Sequence, residues 1–134
     1  MADPTGARAR RTTISMEKRP LSPEDLRIPP HLSVVLKVVD GPATKESFQL
    51  TASASVVGRG EVADIRVKDP AMSRRHFQIT YRNLEFRIQD LESSNGTYLN
   101  DSEVEEYALR NGDEIVAGDS RFAFSVGRAE AKKR

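Results

Sequence analysis

Three short runs in this 134-residue chain gather side chains that can do chemistry: Gly58-Arg59-Gly60, Ser73-Arg74-Arg75-His76 and Ser93-Ser94-Asn95-Gly96-Thr97. Guanidiniums, hydroxyls, an imidazole and a carboxamide are donors that suit an anion such as phosphate better than they suit a bond to be broken. The catalytic readings fail on context. Ser73 and His76 could pair as nucleophile and base, but no nucleophile elbow surrounds Ser73, and no oxyanion arrangement is evident. The other histidine, His31, lies in a linker, and the chain has no cysteine, so a metal site is short of ligands. Gly58-Arg59-Gly60-Glu61-Val62-Ala63 fits the G-x-G-x-x-A dinucleotide fingerprint, which requires a helix to follow. Here Asp64-Ile65-Arg66-Val67 alternates with period two and runs into Pro70. The run is therefore a glycine-permitted turn that presents Arg59. No cofactor and no metal are expected.

The elements that must hold these turns read as short strands. Leu32 to Val39 is β-branched and largely apolar, and Asp40-Gly41-Pro42 turns it. Ser47 to Leu50 alternates, Val56-Val57 runs into Gly58, and Ile65-Arg66-Val67 alternates up to Asp69-Pro70. From His76 to Tyr81 one face carries Phe77, Ile79 and Tyr81, and the other His76, Gln78 and Thr80. Arg82-Asn83 turns this strand into Leu84 to Gln89, with Leu84, Phe86 and Ile88 on one face. Asn95-Gly96 and Asn111-Gly112 are hairpin-type signals. Glu114 to Ala117 and Phe122 to Val126 complete the set. After Pro30 no segment holds a helical period. Short strands with turn residues about every ten positions indicate an all-β fold, an antiparallel β-sandwich.

Composition sets the limits of this domain. The hydrophobic fraction is 37%, low for a chain folded end to end. Residues 1–19 are small, polar and basic without periodicity, and read as a disordered tail. Residues 20–30 form a proline-punctuated linker in which Ser22-Pro23-Glu24-Asp25-Leu26 has a helix-start signature. The expected organisation is a tail and linker over 1–30, one domain over 31–128, and a basic end over 129–134. Residues 31–127 hold eleven basic and fifteen acidic side chains, a balance that lacks the basic face of a nucleic-acid binder. No apolar run approaches a signal core or a membrane span, so a cytoplasmic, monomeric protein without nucleic-acid or membrane partners is expected.

The combination of Gly58-Arg59, Ile65-Arg66-Val67, Ser73-Arg74-Arg75-His76, Asp90-Leu91, Ser93-Ser94-Asn95-Gly96-Thr97-Tyr98-Leu99-Asn100 and Leu109-Arg110-Asn111-Gly112-Asp113-Glu114-Ile115 resembles the forkhead-associated (FHA) domain family, over about residues 32–127. The resemblance implies an eleven-strand sandwich whose loops at one end bind phosphothreonine peptides. It assigns phosphate contacts to Arg59 and Ser73. Ser94, where the family often has threonine, would face the phosphate through its hydroxyl or backbone. It gives Arg74 phosphate or peptide backbone, and Asn95 the peptide main chain. Gly58, His76, Gly96 and Thr97 would hold loop shape. Asp101 replaces a glycine common in the family, which bears on turn shape. The implied partners are phosphothreonine-containing proteins, among them a Ser/Thr kinase or its substrates.

Physical chemistry points the same way. A phosphothreonine is close to dianionic and offers three acceptor oxygens, and an arginine can donate to two of them at once. Arg8, Arg10 and Arg11 precede Thr12-Thr13, a layout suited to a basophilic Ser/Thr kinase. A phosphorylated Thr12 or Thr13 docking into the chain's own site would give self-regulation. The competing readings are a phosphate-independent assembly module built on the same sandwich, and a small hydrolase.

Overall fold

Alternation is plainest in β1 (Leu32–Asp40), where Val34, Leu36 and Val38 are fully buried while their neighbours are less so. A strand with one covered face and one wet face is the pattern that period-two hydrophobicity encodes. The computed structural model describes residues 26–129. Ten further strands follow: β2 (Ser47–Gln49), β3 (Ala54–Gly58), β4 (Ile65–Arg66), β5 (Phe77–Arg82) and β6 (Glu85–Asp90), then β7 (Thr97–Leu99), β8 (Ser102–Val104), β9 (Glu106–Leu109), β10 (Glu114–Ala117) and β11 (Ser120–Arg128). The expected all-β, eleven-strand sandwich is what forms. One sheet has five strands in the order β9-β6-β5-β3-β4, and the other six in the order β2-β1-β11-β10-β7-β8. Every pairing is antiparallel except β3 with β4, which is parallel.

The sheets are joined through phenylalanines. Phe77 on β5 meets Phe122 on β11 edge-on at 5.8 Å, and Phe86 on β6 meets Phe124 on β11 at 5.5 Å. Such pairs add about 0.5–1.5 kcal/mol each beyond the area they bury. Leu26 to Ile28, within the stretch read as tail and linker, already pack on the sandwich. Ile28 is buried, its amide bonds to the Thr51 carbonyl at 2.7 Å, and Ser53 donates to the Leu26 carbonyl at 2.9 Å. The proposed phosphorylation sites Thr12 and Thr13, the helix start at Ser22 and the end of the basic C-terminus (residues 130–134) lie outside the described residues.

Three expectations are corrected. Leu84 does not share the buried face of Phe86 and Ile88. It is 88% exposed and, with Asn83, forms the two-residue turn between β5 and β6. Both residues have positive φ, 55° and 66°, as a type I′ hairpin requires. Asn95-Gly96 and Asn111-Gly112 are not hairpins either: each lies between a strand of the five-stranded sheet and one of the six-stranded sheet. Their glycines still need the left-handed backbone, at φ 86° and 92°, so the dipeptide reports a conformation and not the partner strand. The third concerns β7, β8 and β9, which the alternation rule does not find.

Candidate functional site

The loops β3–β4 (residues 59–64), β4–β5 (67–76) and β6–β7 (91–96) meet at one end of the sandwich, and residues 71–73 are their common support. The Met72 carbonyl accepts from Arg59 Nε at 2.7 Å. That bond fixes the guanidinium plane and leaves both terminal nitrogens uncommitted to any described residue. The Ala71 carbonyl accepts from Asn95 Nδ2 at 3.1 Å. Ser73 Oγ accepts from the Ser94 amide at 3.0 Å, so its own proton is free to point outward. Backbone pairing adds Arg59 N to Ser73 O and Gly60 N to Arg74 O, both at 3.1 Å. The pairing is so close that a side chain at Gly58 would collide with the Arg74 carbonyl. Gly58 is needed for this approach.

His76 is fully buried, at 0% exposure. Its Nδ1 accepts from the Ser73 amide at 3.0 Å, which leaves the proton on Nε2 to donate to the Gly96 carbonyl at 2.8 Å. Both ring nitrogens are therefore spent on holding the loop of Ser73 to the loop of Asn95. Neither can take a proton from the Ser73 hydroxyl.

Asp90, at the end of β6, organises the third loop. Its carboxylate accepts from Ser93 Oγ at 2.5 Å, from Thr97 Oγ1 at 2.7 Å and from the Ser93 amide at 3.1 Å. Ser93 Oγ in turn accepts from the Gly96 amide at 2.9 Å. Burial acts to raise the Asp90 carboxyl. The Ser93 and Thr97 hydroxyls and the Ser93 amide outweigh it and hold the group below its ordinary value. Thr97 is wholly buried beneath this loop.

Of the residues singled out in the sequence, Arg59, Ser73, Ser94 and Asn95 converge through these bonds, with Gly58, His76, Gly96 and Thr97 beneath or beside them. Arg74 contributes its carbonyl to the turn, while its side chain is exposed and makes no hydrogen bond to a described residue. Among the described residues no carboxylate lies within ion-pair distance of Arg59 or Arg74. Arginine, hydroxyl and amide groups thus face outward at one exposed rim. Concavities of about 510 and 450 Å³ lie elsewhere, the first lined by residues of β7 to β9 and the second around Leu84 and Leu109. A phosphate needs converging donors, not depth.

Sequence reasoning missed the Ala71 and Met72 carbonyls and the role of Asp90. Backbone acceptors carry no residue-type signal. Asp90 stands in the Asp90-Leu91 pair quoted above, but its bonds to Ser93 and Thr97 are set only once the loop folds.

A family model described as the FHA domain matches residues 55–118. The glycogen accumulation regulator GarA of Mycobacterium tuberculosis is 38% identical over 95 residues, which span 71% of this chain and 59% of GarA. The oxoglutarate dehydrogenase inhibitor of Corynebacterium jeikeium is 34% identical over 110 residues, covering 82% of this chain and 76% of the inhibitor. A solved structure from work on phosphothreonine-dependent FHA domain interactions superposes with a TM-score of 0.64 at 35% identity, covering 69% of this chain and 95% of its own. Order of motifs, sheet topology and these likenesses agree: the chain belongs to the FHA domain family.

Proposed function

We propose that this chain is a phosphothreonine-peptide recognition module acting downstream of a Ser/Thr kinase. The observation that carries the reading is Arg59, locked through Nε to the Met72 carbonyl with its two terminal nitrogens uncommitted to any described residue. That is the fork that bidentate phosphate recognition needs. Ser73 Oγ, Ser94 and the exposed Asn95 side chain stand beside it, for the remaining phosphate oxygen and the peptide main chain. Arginine clusters at loops are a general mode of phosphopeptide capture. The module binds and performs no reaction: His76 has no nitrogen free for base chemistry, and the relatives above bear the names of a regulator and an inhibitor. Its partners are phosphothreonine-containing proteins, among them the kinase or its substrates, in the cytoplasm. Among the described residues no helix is long and apolar enough to cross a membrane.

Self-regulation by a phosphorylated Thr12 or Thr13 is compatible with the geometry. Leu26 is held beside Ser53, six strand residues and so about 20 Å from Arg59. Thr13 stands thirteen positions before Leu26, a stretch that at full extension spans about 45 Å.

The test is calorimetric titration with one peptide in threonine, phosphothreonine and phosphoserine forms. Phosphothreonine should bind, threonine should not, and phosphoserine should bind more weakly. One buried methyl contributes about 0.8 kcal/mol, roughly fourfold, so a larger ratio means a shaped methyl pocket. Equal affinity for the first two peptides would instead make this a phosphate-independent assembly module.

A further inference from the structure

Residues 71–73 carry the site, and the bonds that fasten them are unequal in what they reveal. One end is tied by His76 to the Ser73 amide. The other end is tied by Asp69, which is 1% exposed. Asp69 Oδ1 accepts from the Ala71 amide at 2.9 Å, and its own carbonyl accepts from the Met72 amide at 3.0 Å. Asp69 Oδ2 reaches across fifty residues of sequence to the Asp119 amide at 2.9 Å and to Ser120 Oγ at 2.6 Å. The turn between β10 and β11 is thereby pressed onto the same segment. A Cβ at Gly118 would stand 2.7 Å from Met72 Cγ and 2.9 Å from Met72 N.

We propose that Asp69 is a positioning residue of the phosphopeptide site, holding the Ala71 and Met72 carbonyls where they aim Asn95 and Arg59. The proposal rests on the phosphothreonine reading above. Asp69 itself touches no ligand. It is buried under the loop, and the three bonds its carboxylate accepts are all internal. What it supplies is preorganisation: if residues 71 and 72 move, Arg59 Nε and Asn95 Nδ2 lose the acceptors that orient them, and binding must then restore that order. A carboxylate suits the position because both oxygens face donors. Asparagine has the same shape, but its NH₂ would oppose either the Ala71 or the Asp119 amide, donor against donor.

The experiment compares wild type with Asp69→Asn, Ser120→Ala and, as a control at another polar cluster, Asp113→Asn. Each is titrated with the phosphothreonine peptide, its unfolding midpoint is measured, and the Arg59 Nε–H resonance is followed by ¹H–¹⁵N NMR without peptide. Asp69→Asn should weaken binding by about tenfold, the lower end of what outer partners of ligand-holding groups cost in metal sites. It should also make Arg59 Nε–H exchange quickly with water. Ser120→Ala removes one neutral donor and should cost about threefold. Asp113→Asn should change neither binding nor the resonance. If Asp69→Asn lowers the midpoint but leaves affinity and the Arg59 signal at wild-type values, Asp69 only fastens the fold and the proposal is overturned. Should Asp69→Asn fail to fold, Ser120→Ala decides by the same two readouts. If wild type binds no phosphothreonine peptide, the functional reading falls, while the Arg59 resonance in the free protein still decides the positioning.

Discussion

Two polar clusters in this domain use the same residue types and do different work. At the site, the buried Asp69 and His76 tie together residues as far as 51 positions apart, while the half-buried Asp90 closes its own loop onto Ser93 and Thr97. In the other, Asn100 donates to Asp113 at 3.0 Å and accepts from the Glu114 amide at 3.0 Å, while Asp113 accepts from the Arg110 amide at 2.8 Å. That cluster lies at the surface and joins the turn between β7 and β8 to the loop between β9 and β10. Burial of Asp69 and His76 is the difference. A buried polar group that loses its partner has no water to replace it, so the site-end bonds act as a unit. In the exposed cluster each lost bond can be exchanged for one to solvent. The lesson is that the first cluster aligns the three loops of the site from within, and the second joins two turns at the surface.

The sharpest way to break this contrast is at the rim of the site. Arg59→Ala should cost on the order of 2–5 kcal/mol in phosphopeptide binding, as for truncating one side of a desolvated charge pair. Its unfolding midpoint should barely move, because the side chain is exposed and its one described side-chain bond is to Met72 O. Unchanged affinity by calorimetry would end the assignment of the site. One layer down, His76→Ala should do the reverse in emphasis, destabilising the fold by about 3 kcal/mol. It strands the Ser73 amide and the Gly96 carbonyl, each worth about 1–3 kcal/mol when left unpaired. Urea denaturation with an unchanged slope is the measurement. A loss under 1 kcal/mol would show that water enters the loop and that the cluster is not a unit.

Much of this was legible in the sequence, and what was not has a physical pattern. β1, β5 and β11 announce themselves because one face is buried and apolar: Val34, Leu36 and Val38; Phe77 and Ile79; Phe122 and Phe124. β8 and β9 are short and polar, with Glu103, Glu106 and Tyr107 exposed. Their pairing is imposed by β7 and β6, and no side-chain period records it. Leu84 misled because a leucine at positive φ in an exposed turn contradicts both its burial and its backbone preference. At the site the outward-facing side chains, and His76 beneath them, could be picked by type. Their supports could not: Ala71 and Met72 act through carbonyls, and Asp69 acts on Ser120, a partner that only the folded β10–β11 turn brings near.

Acid provides a subtler probe of the half-buried Asp90 in the third loop. The Asp90 carboxyl is held below its ordinary value in the folded state, burial opposing and the Ser93 and Thr97 hydrogen bonds prevailing. A group whose folded pKa is depressed contributes stability that is complete above its unfolded pKa, near 3.9. The contribution is lost as pH falls from there through the lower folded value. Urea midpoints measured from pH 6 downward should therefore fall less steeply below about pH 4 in Asp90→Asn than in wild type. Parallel curves would mean that the hydroxyl bonds do not favour the charged form.

The smallest effect is expected at the exposed cluster, and there a null result is informative. Asp113→Ala removes the acceptor for Asn100 Nδ2 and for the Arg110 amide. Both donors are exposed, so water takes the place of the carboxylate and the net cost should be about 0.5–1 kcal/mol. The crossover itself is held separately, by Gly112 N to Phe124 O at 2.8 Å and Val126 N to Asn111 Oδ1 at 2.8 Å, so β10 should keep its register. Phosphopeptide affinity should match wild type within error. A measurable loss of affinity would mean that strain in this turn reaches the rim through β10, whose far end leads into the Gly118-Asp119 turn that Asp69 holds. The two clusters would then be one network, and burial would no longer be what separates them.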